Sequence, residues 1–312
     1  MTAPTVLMST WGDGLFVVTG GAKRRELVTR PCRGLTTDGR GGALCIVDDH
    51  SLCRRAPDGT YSTLATSEAE LACCRAVGDV VYVGTDDAQL LRWTSDGGLA
   101  ALRGFDVVPG RETWYAGSAV IDGRLVGPPL GVRSLTATSD GAALLVNVHV
   151  GGIPRSTDGG ATWQPTIEID HDVHDVCAHP TRPRLVAAAA AAGLCLSRDG
   201  GATWTVERDG LHASYCSAVA FIGDDVVVAA STGHFATEGT LYRRAIDRAG
   251  LTPVEDGLPK CTSGIVDTAG IAVKGSTAAV VDRGHLYLST DSGRTWTHAA
   301  DGLPAASSVL VC

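Results

Sequence analysis

The chain is poor in charge and in aromatic rings. Asp, Glu, Lys and Arg together make up 19% of its 312 residues, and Phe, Trp and Tyr make up 5%. Lysine and arginine are outnumbered by aspartate and glutamate, 26 to 34, for a formal net charge of −8. That balance excludes a broad nucleic-acid surface, because gripping phosphates requires a basic field. No basic segment followed by an apolar one opens the sequence, so a secretory leader is not expected. The longest apolar run, residues 185–196, is too short to cross a bilayer as a helix. A cytoplasmic location and no membrane partner are the corresponding expectations. The ten cysteines include no Cys-x-x-Cys pair, which argues against a closed zinc knuckle. In the cytosol they should stay thiols, and Cys45 and Cys195 sit in apolar strand patterns as small buried hydrophobes.

What is abundant is small and apolar. Hydrophobic residues reach 44%, dominated by Ala, Val and Leu, with 39 glycines beside them. This is enough for a substantial core of tightly spaced strands. Self-similarity then organises the chain. Ser156-Thr-Asp-Gly-Gly-Ala-Thr-Trp163, Ser197-Arg-Asp-Gly-Gly-Ala-Thr-Trp204 and Ser289-Thr-Asp-Ser-Gly-Arg-Thr-Trp296 share the pattern Ser-x-Asp-x-Gly-x-Thr-Trp. Decayed copies lie near Asp58-Gly59, Asp96-Gly97 and Asp247, with a further hairpin at Gly20-Gly21. The spacing, roughly 40 residues apart from one longer gap after Asp96, is that of a propeller blade. In each copy the Asp can accept hydrogen bonds from turn amides, the Gly permits positive φ, and the Trp packs the turn onto neighbouring strands. Asp158, Trp163, Asp199, Trp204, Asp291 and Trp296 therefore read as structural staples of hairpins.

The eight-residue pattern resembles the Asp-box, or BNR repeat, of sialidase-like β-propellers. The resemblance implies an all-β fold of four-stranded blades in one domain spanning residues 1–312. Strand patterns flank each hairpin, as in Val80-Val-Tyr-Val-Gly and Gln89-Leu-Leu-Arg-Trp. The alanine run 187–192 favours helix locally, but its register with sister blades makes it strand. Residues 307–312 read as a first strand lacking partners, and the amino-terminal strands lack a first strand. Joining them gives a seven-bladed propeller closed through both termini, with no open sheet edge. Six blades with loose termini are the alternative.

The resemblance also implies geometry. The innermost strand comes first in each blade, the boxes lie on one face, and a ligand pocket lies at the centre of the other. On that other face fall His149, the run Asp170-His171-Asp172-Val-His174-Asp175, and Cys216. His149, His171, His174 and Cys216 are the candidate metal ligands, for zinc or copper, with Asp172 or Asp175 orienting an imidazole. Arg33, Arg111, Trp114, Tyr115 and Tyr215 are candidate ligand contacts, and the insertion at residues 109–133 is a candidate cover. His179 reads as structural, on the box face.

Three functional readings follow. The first is a small-molecule or metal site at the central mouth, of unknown reaction. The second is a non-enzymatic scaffold with a protein partner, resembling the photosystem-assembly-factor type of BNR protein. That type relies on an arginine patch, for which only Arg24, Arg25, Arg54 and Arg55 offer themselves. The third is a sialidase-like glycoside hydrolase, which requires an arginine cluster (Arg33, Arg111, Arg133 and Arg283 are available) and a tyrosine nucleophile such as Tyr115 or Tyr215. The Arg-Ile-Pro signature of such enzymes is absent, and Gly152-Ile-Pro-Arg155 only shuffles its letters.

Overall fold

Successive residues of a strand point to opposite faces, so a strand covered on both sides must be apolar throughout. Val186–Ala190 shows the consequence. Val186, Ala188 and Ala190 pack into one apolar cluster, while Ala187 and Ala189 pack into the next. Burial on two faces overrides the helix preference of the alanine run.

The computed structural model describes residues 3–115, 120–121, 124–125 and 130–312. They form seven four-stranded antiparallel sheets and one short hairpin, Val120–Ile121 with Arg124–Leu125. The fold is a seven-bladed β-propeller, which sets the six-bladed alternative aside. Blade one is assembled from both ends of the chain: Ala306–Val311 pairs with Thr5–Thr10, followed by Leu15–Thr19 and Ala22–Glu26. The innermost strands of blades two to seven are Cys32–Thr37, Leu71–Val77, Val132–Ala137, Val173–Ala178, Tyr215–Ile222 and Ile271–Lys274. Apolar side chains sort into seven clusters, one in each gap between neighbouring blades.

An innermost strand has one edge with no partner strand, and its polar groups must be satisfied otherwise. Short polar side chains of the neighbouring blade do this. Ser134 Oγ accepts the Val176 amide at 3.1 Å and Thr136 Oγ1 the Ala178 amide at 3.2 Å. Asp175 Oδ2 accepts the Val219 amide at 3.2 Å, and Ser308 Oγ accepts the Leu35 amide at 2.9 Å. Ser217 Oγ donates to the Val266 carbonyl at 2.6 Å. The Cys73 and Cys74 thiols fill the same role towards the Val132 and Gly34 carbonyls.

The three Ser-x-Asp turns join third to fourth strands and share one hydrogen-bond net. Asp158 Oδ1 accepts from Ser156 Oγ (2.8 Å) and the Thr162 amide (2.9 Å), and Oδ2 accepts from Thr162 Oγ1 (2.6 Å). Asp199 and Asp291 repeat this with Ser197 and Thr203 and with Ser289 and Thr295. Trp163 and Trp296 are buried and donate Nε1–H to the Gly160 and Gly293 carbonyls of their own turns. Trp204 departs from its sisters: it is half-buried and donates to Thr166 Oγ1 of the preceding blade. His179 is structural as expected. Its Nδ1 accepts the Thr181 and Arg182 amides while Nε2–H donates to the Gly223 carbonyl. Among the described residues no helix is long and apolar enough to cross a membrane.

Candidate functional site in the central channel

The innermost strands enclose a cavity of about 770 Å³. Its mouth lies at the end of the ring opposite the Ser-x-Asp turns, among loops that carry Trp11, Asp86, His234 and Phe235. Trp11 is 58% exposed and Phe235 is 61% exposed, so two flat apolar surfaces face solvent there. The wall mixes apolar residues such as Leu35, Val132 and Leu135 with the hydroxyls of Thr36, Ser134, Ser307 and Ser308.

Three arginines lie in this wall on the innermost strands of three consecutive blades: Arg33, Arg75 and Arg133. Arg33 is tightly held. Its Nε lies 2.9 Å from Asp49 and its Nη2 lies 2.8 Å from Asp86, with the Trp11 ring 6.0 Å from the guanidinium. Among the described residues Arg133 makes one ion pair, at 3.3 Å, to Asp267 in the segment joining blades six and seven. Arg75 has no ion-pair or hydrogen-bond partner among the described residues. On the adjacent innermost strand of blade five, the Asp175 carboxyl is buried in the wall, and burial pushes it up to about 6.

The expected metal set is reassembled rather than reproduced. His149 and His174 come together on Asp172, whose Oδ1 lies 3.8 Å from His149 Nε2 and whose Oδ2 lies 3.5 Å from His174 Nε2. Asp172 sits in the left-handed region at φ 49°, a conformation that costs a non-glycine residue energy and turns this carboxylate towards both rings. His174 Nδ1–H donates to the Cys216 carbonyl at 2.6 Å. Cys216 thus contributes its backbone; its side chain packs in the apolar gap between blades five and six, where burial pushes the thiol up to about 12. His171 is carried on a short 3-10 turn, Ile169–His171, and no side-chain hydrogen bond or ion pair links it to the others among the described residues. Burial, reinforced by the Arg133 charge, pushes His149 down to about 4. Burial raises the Asp172 carboxyl, but the hydrogen bond and charge of His174 outweigh it and hold the group below its usual range. Among the described residues no three His, Cys, Asp or Glu side chains are arranged to hold a metal ion.

Of the expected ligand contacts, Arg33 lines the cavity. Trp114 is buried against Phe105, and Arg111 lies over both rings at 4.7 and 5.6 Å. Both belong to the packing between blades three and four. Tyr115 is partly exposed, its amide bonded to the Val150 carbonyl. Tyr215 packs against His174 in a tilted pair, ring centroids 4.4 Å apart and planes 40° to one another. Arg283 packs over Gly264 rather than into the cavity. Much of the expected cover, residues 116–119, 122–123 and 126–129, lies outside the described residues. Arg75, Phe235 and Asp267 were not anticipated. The signal for Arg75 was present as a lone charge inside the apolar strand Leu71–Val77.

No protein-family model matches the chain, and no curated protein matches its sequence. Solved structures do match in fold. The computationally designed Ika8 protein superposes with a TM-score of 0.56 at 14% identity, covering 94% of this chain and 85% of its own. An ancestral GH74 enzyme gives 0.63 at 13% identity over 98% of this chain, which spans only 40% of that enzyme's length. YCF48 bound to D1 peptide gives 0.54 at 14% identity, covering 86% of this chain and 84% of YCF48. At these identities the likeness is one of fold alone.

Proposed function

We propose that the central cavity binds a small molecule carrying an anionic group, with a flat apolar portion held at the mouth. The observation that carries this reading is Arg75, a cation in the channel wall with no partner among the described residues. An arginine so placed offers a planar fork of donors suited to a carboxylate or phosphate. Arg33 and Arg133 on the adjacent blades add to the field, and the exposed rings of Trp11 and Phe235 offer stacking surfaces. Four carboxyls share the wall with the arginines, and three of them are engaged elsewhere, Glu70 being the one without an ion-pair partner among the described residues. Asp86 is engaged by Arg33, Asp267 by Arg133, and Asp175 by backbone amides.

Calorimetric titration with benzoate, inorganic phosphate and sulfate tests the reading. Binding should strengthen as salt is lowered. Arg75→Ala should weaken it roughly tenfold, the scale of one charge-assisted contact, with an unchanged melting temperature. Equal affinity in wild type and Arg75→Ala would sink the proposal. A second reading, a peptide or protein partner at the same mouth, draws on the exposed Trp11 and Phe235 and on the peptide-bound state of YCF48. It predicts that Trp11→Ala and Phe235→Ala abolish capture of a partner while Arg75→Ala does not.

A further inference from the structure

The segment joining blades six and seven, residues 254–270, does not skirt the ring. Its end folds inwards, so that Asp267, Thr268 and Ala269 line the cavity. Four contacts to four blades hold it there. The Val266 carbonyl accepts Ser217 Oγ at 2.6 Å, Thr268 Oγ1 donates to the His174 carbonyl at 2.9 Å, and the Ala269 carbonyl accepts the Val309 amide at 3.0 Å. The fourth contact is the Arg133–Asp267 pair, which links blade four to this strap over the innermost strands of blades five and six.

The pair is lopsided. Arg133 is largely buried in the wall, whereas Asp267 is half exposed, their side chains being 18% and 53% accessible. Asp267 Oδ1 accepts both the Thr268 amide of its own turn, at 2.7 Å, and Arg133 Nη2, at 3.3 Å. Among the described residues this 3.3 Å contact is the one ion pair of the Arg133 guanidinium, which leaves most of its donors free for a ligand. A carboxylate held by its own turn and resting on a cavity arginine has the placement of a ligand anion.

We propose that Asp267 is an internal stand-in for the ligand's anionic group, and that the strap latches the cavity through Arg133 until an external anion takes its place. This rests on the reading of the cavity as an anion site. Asp267 thereby sets specificity: a ligand whose anionic group binds Arg133 more weakly than Asp267 does leaves the strap closed. A contact this exposed is weak, so its removal should release a modest effect, roughly two- to fivefold.

The test uses the full chain, inorganic phosphate as the probe, and amide hydrogen exchange at residues 266–270. Asp267→Asn should raise phosphate affinity roughly two- to fivefold and speed exchange of the Thr268 and Gly270 amides, because the turn loses its latch. Arg133→Ala should speed the same amides, and adding Asp267→Asn to it should change neither exchange nor affinity further. Phosphate binding that is equal in wild type and Asp267→Asn overturns the stand-in. Unchanged exchange in both single variants overturns the latch. If phosphate binds neither wild type nor Asp267→Asn, the anion reading of the cavity falls and the stand-in with it, while the exchange data still decide whether the latch exists.

Discussion

Met8 and Val309 face each other across the ladder that joins the two ends of the chain, flanked by Leu7 opposite Leu310 and Val6 opposite Val311. The seam is polar as well as apolar: Ser9 Oγ bonds Ser308 Oγ at 2.6 Å, and Ser307 Oγ donates to the Cys32 carbonyl at 2.6 Å. One strand thus closes the sheet of blade one and also binds blade two. Removing residues 307–312 should expose the edges of Thr5–Thr10 and Cys32–Thr37 and cause aggregation. Light scattering with a melting curve checks this; a monomeric truncation with the wild-type melting temperature would refute closure through the termini.

The Ser-x-Asp turns should make the protein sensitive to acid. The net of donors around Asp158 and Asp199 lowers each carboxyl to about 2, and Asp291 is lowered further. The unfolded value is near 4, so the stabilisation is complete above about pH 4 and is lost as pH falls through about 2. Melting temperature should fall steeply across that window. Asp199→Ala should destabilise by about 1–2 kcal/mol at pH 7, an amount kept modest because the turn is open to water. It should also flatten the acid limb. An unchanged acid limb would show that the turns do not carry the pH dependence.

Ser292 occupies the left-handed region at φ 63°, where the sister turns place Gly159 at 71° and Gly200 at 74°. A side chain there is strained by roughly 1–2 kcal/mol, partly offset by the larger unfolded-state entropy of glycine. Ser292→Gly should therefore raise stability by roughly 0.5 kcal/mol, and Gly200→Ser should lower it by more. Chemical denaturation of the two variants measures both signs. A loss on Ser292→Gly would mean that the serine makes a contact outweighing its backbone strain.

Periodicity made the scaffold legible because repetition averages out local ambiguity. The alanine strand Val186–Ala190 and the decayed hairpins were placed by register alone. Individual side chains were harder, since a loop position gives the end of the ring but not the direction of the group. Cys216 was expected in a connection on the ligand-bearing face, but it lies in the strand Tyr215–Ile222 and turns its thiol into the gap between blades, leaving only its carbonyl for His174. Arg75 was hidden inside an apolar strand. Asp267 was invisible because nothing local records that residues 254–270 fold inwards; its contacts are to blades distant in sequence.

Arg111 lies on the segment expected to cover the mouth, but its surroundings are those of a pin. The guanidinium rests on Trp114 at 4.7 Å and Phe105 at 5.6 Å, and Nη2 donates to the Ala88 carbonyl at 2.8 Å. Phe105 in turn meets Trp163 edge-on at 5.1 Å, so the arginine fastens this segment to the Ser-x-Asp turn of blade four. Burial lowers its basicity, as expected of a cation covered by rings. Arg111→Ala should destabilise by roughly 1–2 kcal/mol through lost stacking and an unsatisfied carbonyl, and Arg111→Lys should not rescue it, because an ammonium cannot lie flat between two rings. Phosphate affinity should be unchanged in both variants, measured beside the melting temperature. A loss of affinity with unchanged stability would return Arg111 to the ligand site and would mean that the pin is a contact surface.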